Sequence, residues 1–129
     1  MRILITGGTR GIGRATALSC AARGWTTALG YRGDRAAAEE TLAAIQAAGG
    51  KSSIHAADIA DPEQVAALFD AAAAAMGGLD AVVVNAGIVA PVMPLAEMTP
   101  ERIERVVRVN LTGALYCARE AARRLPDGG

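Results

Sequence analysis

Short apolar runs of strand length alternate along this chain with longer stretches that repeat every three or four residues. Ile3-Leu4-Ile5 predicts a strand over 2–6. Ile12, Ala15, Ala17, Leu18, Ala21 and Ala22 then keep helical spacing over 11–23. A second strand is expected over 25–31 and a second helix over 34–48, with Asp34 as its N-cap and Gly49-Gly50 as its stop. A third strand spans 52–57. Asp61-Pro62-Glu63-Gln64 combines a cap, a proline at the first helical position and a polar N3, so a helix should run from there to about Met76, where Gly77-Gly78 ends it. The fourth strand, 80–84, is continuously apolar at Ala81-Val82-Val83-Val84, as a strand buried on both faces should be. Thr99-Pro100-Glu101 opens a last helix towards Arg124.

Four strands alternating with four helices predict an α/β fold, an open, doubly wound parallel sheet of Rossmann type. Right-handed crossovers give the strand order 3-2-1-4. Ligands of such sheets bind beyond the carboxyl ends of the strands, at the switch between strands one and four. Residues 7–13 and the segment after Val84 should therefore meet there, with the long loop 87–98 on the same edge.

Composition narrows the class. The 129 residues suffice for one domain, and at 52% hydrophobic but only 3% aromatic the core must be Ala, Val, Leu and Ile. Thirteen basic and 13 acidic residues balance, which leaves no electrostatic footprint for nucleic acid or an anionic membrane. Glu101–Arg105 and Glu104–Arg108 are spaced as i,i+4 pairs on a solvated helix face. Cys20 and Cys117 lie far apart in helical patterns, and His55 stands alone, so neither a disulfide framework nor a metal site is expected. Both cysteines read as buried small hydrophobes. No apolar stretch reaches membrane-spanning length, and Arg10 comes too early for a signal peptide, so the expectation is a soluble cytoplasmic protein.

The candidate chemistry sits at the carboxyl end of strand one. Thr6-Gly7-Gly8-Thr9-Arg10-Gly11-Ile12-Gly13 joins a strand to a helix. Such a turn brings free backbone N–H groups and a partial positive charge to an anion such as phosphate. The spacing differs from G-x-G-x-x-G. Asn85 ends a buried strand, where an amide can bridge backbone groups as the chain leaves the sheet; a simple turn is the plain alternative. Asp58 could likewise cap a turn before Asp61. Ile103, Val106, Val107, Asn110 and Ala114 share one helix face, so Asn110 reads as an amide within an apolar stripe that must be hydrogen-bonded.

Taken in order, these motifs resemble the short-chain dehydrogenases/reductases over the whole chain. Thr6-Gly-x-x-x-Gly-Ile-Gly13 is similar to the family's cofactor fingerprint. The resemblance implies that Asp58-Ile59 contact the adenine ring and that Asn85-Ala86-Gly87 stand for the family's N-A-G motif. Within Val109-Asn110-Leu111-Thr112-Gly113, it implies that Asn110 is the catalytic asparagine whose backbone holds a water in a proton relay. Val84 departs from the second Asn that many members carry. The implied substrates are β-ketoacyl or small carbonyl compounds and their alcohols, and the implied assembly is a dimer or tetramer built on the helices after strand four.

A dehydrogenase that prefers NAD usually carries an acid at the end of strand two, bonded to the ribose 2′-OH. Gly30-Tyr31-Arg32 stands there instead, with Arg10 near the same corner. Two arginines suit a 2′-phosphate, so NADP(H) is the expected cofactor; a merely solvated arginine is the alternative. The family's reaction also needs a Ser, and a Tyr with a Lys four residues after it. The only lysine is Lys51, and Tyr31 and Tyr116 have Arg35 and Glu120 at that spacing. Ser19 lies on the first helix, and Ser52 and Ser53 start strand three. The resemblance places the missing groups on strand five and the helix after it, so the expectation is the cofactor-binding half of a longer oxidoreductase, inactive by itself. A non-catalytic NADP(H)-binding module is the alternative. A methyltransferase fits less well, because Tyr31-Arg32 occupies the place of its ribose-binding acid.

Overall fold

The computed structural model describes residues 1–89 and 91–128. Strands β1 (Arg2–Thr6), β2 (Thr26–Tyr31), β3 (Ser52–Ala56) and β4 (Ala81–Val84) form one parallel sheet in the order β3-β2-β1-β4. This is the order expected from right-handed crossovers. It places Thr6 beside Gly30 on one side and Val84 on the other. Ser52 and Ser53 lie on the far edge strand, away from the β1–β4 junction.

Successive strand residues point to opposite faces, and each face has its own core. Ile3, Ile5 and Leu29 pack under helices α1 (Gly11–Ala22) and α2 (Arg35–Ala47) with Ala17, Cys20 and Ile45. Leu4 and Ala28 face the other way, onto Val65, Leu68, Phe69 and Ala72 of α3 (Pro62–Met76). Caps set the helix starts. The Asp34 carboxylate accepts the Ala37 N–H, and Asp61 accepts those of Glu63 and Gln64. Arg2, at the start of β1, donates through its backbone and its guanidinium to Asp80, which leads into β4. That guanidinium holds the Asp80 carboxyl down at about 2.

The last helix is not the single rod that uniform 3.6-residue spacing predicts. It is α4 (Pro100–Val107), a π-helical turn (Arg108–Gly113) and α5 (Ala114–Arg124). A π turn inserts a residue into the helical repeat and rotates the next helical segment about the axis. The buried positions are Val109, Gly113, Cys117 and Glu120, while Ile103, Val107 and Asn110 are exposed. The expected apolar stripe through Asn110 is not the inward face. Glu120 is buried on its pairing with Arg123 and Arg124, and Arg124 reaches Asp70 of α3 at 2.9 Å. Both cysteines are buried and free, and burial raises the Cys117 thiol to about 11. Among the described residues no helix is long and apolar enough to cross a membrane.

Candidate cofactor-binding site

The glycine turn is shaped by close approach. Gly7 has φ +63°, and a Cβ there would stand 2.9 Å from the Ala86 backbone. A Cβ on Gly13 would fall 2.1 Å from the Gly7 carbonyl oxygen, so α1 could not reach the turn with any other residue. Asn85 performs the bridging its position suggested. Its amide donates to the Thr6 and Gly7 carbonyls at 3.1 and 3.0 Å. Its backbone N–H and that of Ala86 donate to the Thr6 hydroxyl at 3.0 and 3.1 Å. The N-terminus of α1 begins at Arg10 with no side chain capping it, in contrast to the capped starts of α2, α3 and α4. Its first amide donors are left to meet an anion.

A cleft of about 810 Å³ opens above this turn. Gly7, Thr9, Arg10, Gly11, Ile12, Tyr31, Arg32, Asp58, Ile59, Asn85, Ala86, Gly87 and Val109 all line it. Gly13 lies beneath it, as the packing contact just described. Sequence reasoning missed Gly33 and Asp34, which also line the cleft and come directly after Tyr31-Arg32; reading past the strand end would have found them. Leu68 lines it too, but reads as an ordinary core residue of α3.

Both arginines at the corner are exposed and each faces a carboxylate. Arg10 pairs with Asp34 at 3.4 Å, and Arg32 with Asp58 at 3.0 Å. Asp58 also accepts the Ala60 N–H at 3.0 Å, so it caps a turn and lines the cleft at once. The expected Glu101–Arg105 and Glu104–Arg108 pairs do not form among the described residues. Arg105 and Arg108 instead line a neighbouring cleft of about 600 Å³ that shares Arg32, Asp58 and Val109 with the first. Long side chains on an exposed face gain little from pairing, so this departure costs the helix little.

Asn110 lies outside the cleft lining. Its amide binds the loop after β4, accepting the Ile88 N–H at 2.8 Å and donating to the Ile88 carbonyl at 2.9 Å. It thereby fixes the exit of Asn85-Ala86-Gly87. Ile88 and Val89 reach the cleft, whereas Val92 and Leu95 are exposed and do not line it. Ala90, in this loop, and Gly129, at the chain end, lie outside the described residues.

The sequence model of the family described as short chain dehydrogenase matches residues 1–129. The chain belongs to the short-chain dehydrogenases. It is 46% identical to an uncharacterized oxidoreductase, YgfF, of Escherichia coli (strain K12), over 98% of this chain and 52% of that protein. It is 40% identical to the versicolorin reductase stcU of Emericella nidulans, over 98% of this chain and 47% of that protein. Among solved structures, a short chain dehydrogenase from Burkholderia cenocepacia J2315 in complex with NADP superposes with a TM-score of 0.92 at 39% identity, covering 99% of this chain and 52% of that one. The chain spans about half the length of these relatives. Short-chain dehydrogenases use nicotinamide cofactors, and the residues here fit one: the uncapped helix start suits its phosphates, and the cradle at Gly7 and Gly13 is one that a Cβ would fill.

Proposed function

We propose that this chain is the NADP(H)-binding part of an oxidoreductase that transfers hydride between the nicotinamide and a carbonyl or alcohol substrate. The observation that carries the reading is the corner where Arg10 and Arg32 line the same cleft as the glycine turn. The bound cofactor supplies the hydride. The chain's own residues hold it. The α1 amides and Gly7, Thr9, Gly11 and Ile12 receive the phosphates, Asp58 and Ile59 border the adenine, and Asn85, Ala86, Gly87 and Val109 shape the inner wall. On binding a 2′-phosphate, Arg10 and Arg32 exchange their carboxylates for the phosphate oxygens. Asn110 serves the proton path through its backbone, since its amide is committed to Ile88.

The acid that protonates the substrate belongs to residues beyond these 129. Lys51 stands before β3, and neither tyrosine has a lysine partner. That same observation favours a second reading, a protein that binds NADP(H) without turning it over. Turnover of carbonyl substrates by the parent protein separates the two.

The cofactor choice is tested by titrating NADPH and NADH into the wild type and Arg32→Asp. A charge-assisted hydrogen bond contributes about 1.5–3 kcal/mol, so the substitution should weaken NADPH roughly 10- to 100-fold and leave NADH nearly unchanged. Equal wild-type affinities for the two cofactors would overturn the NADP(H) assignment.

A further inference from the structure

Two threonines on the first two helices use their hydroxyls differently. Thr16 on α1 is half-buried and donates back to the Ile12 carbonyl at 2.9 Å, the ordinary local bond of a helical threonine. Thr41 on α2 is fully buried and sends its hydroxyl out of the helix, to the Thr9 carbonyl at 2.9 Å. The bond ties α2 to the middle of the glycine turn.

Peptide geometry carries this bond's effect into the cleft. The Thr9–Arg10 peptide is trans, so its carbonyl and its N–H point in opposite directions. Held towards α2 by Thr41, the carbonyl turns the Arg10 N–H away from α2. Among the described residues no protein acceptor meets that N–H. Arg10 lines the cleft, and its backbone is the N-cap of α1.

We propose that Thr41 is a positioning residue for the cofactor: by clamping the Thr9 carbonyl it aims the Arg10 amide, and the start of the Arg10 side chain, at the phosphorylated adenosine end of the ligand. The proposal rests on the NADP(H) reading above. Thr41 touches no ligand itself. Removing its hydroxyl leaves the buried Thr9 carbonyl unpaired and lets the peptide rotate.

The test compares Thr41→Val, which keeps the shape, with Thr41→Ser, which keeps the hydroxyl, in the parent protein. Dissociation constants for NADPH and for 2′,5′-ADP are measured well below each variant's melting midpoint. T41V should weaken both ligands about tenfold, and T41S should restore both to within about twofold of wild type. If T41V melts earlier yet binds 2′,5′-ADP like the wild type, Thr41 is structural only and the proposal is overturned. Failure of T41S to rescue overturns it as well. Should T41V not fold, Thr41→Ala takes its place with the same two outcomes. Failure of the wild type to bind either NADPH or NADH is a separate result and sinks the cofactor reading instead.

Discussion

Gly13 and Asn85 show how single residues set the geometry of the cleft. A methyl group at residue 13 would overlap the Gly7 carbonyl, so Gly13→Ala must push α1 off the turn. Overpacking of this kind costs about 1–3 kcal/mol, and the displaced helix start should also abolish nucleotide binding. Urea denaturation and NADPH titration read the two effects separately. Asn85→Ala removes two bonds to the carbonyls of Thr6 and Gly7. Unpaired, partly buried carbonyls cost about 1–3 kcal/mol each, so a loss of that order is expected, along with a weakened site. At the same scale, burial makes Cys117 a poor thiolate. A disulfide exchange reagent should leave Cys20 and Cys117 unlabelled in the native protein and label both in denaturant.

Elements are more legible in the sequence than their joints. Short apolar runs and 3.6-residue periodicity locate every strand and the first three helices, because both faces of a parallel sheet demand apolar cover. The π turn escapes, since counting in steps of three and four assumes one uniform helix and so puts Asn110 on an inward stripe. Its role at Ile88 depends on a loop whose path no periodicity encodes. Thr41 is invisible for a related reason: one threonine in an alanine-rich helix carries no signal until the partner carbonyl is located. Charges are legible as types at positions and not as pairs. Arg10–Asp34 and Arg32–Asp58 join elements that the sequence keeps well apart. At the level of the sheet, the clasp between β1 and the entry to β4 predicts a pH dependence. The Asp80 carboxyl lies at about 2 in the folded chain, below the ordinary 3.8. A lowered acid stabilises the fold fully above its ordinary value and loses that contribution as pH falls through the folded value. Unfolding free energy should therefore decline between about pH 4 and pH 2 through this group. Asp80→Asn should be less stable at neutral pH and flatter across that window in chemical denaturation.

For the molecule as a whole, the site is a product of topology. β1 lies inside the sheet, and its two neighbours bring Tyr31-Arg32 from β2 and Asn85-Ala86-Gly87 from β4 to one cleft. The residues that complete the cleft are distant in the chain: Asn85 meets Thr6 across 79 positions. Such a closure is entropically slow, because distant segments must meet before any contact rewards them. Binding competence should thus be a late arrival in refolding. In stopped-flow experiments, helical circular dichroism should recover first, and quenching by added NADPH should lag behind it, keeping time with the docking of β4. The nucleotide then serves as a clock for the longest-range step in the chain's assembly.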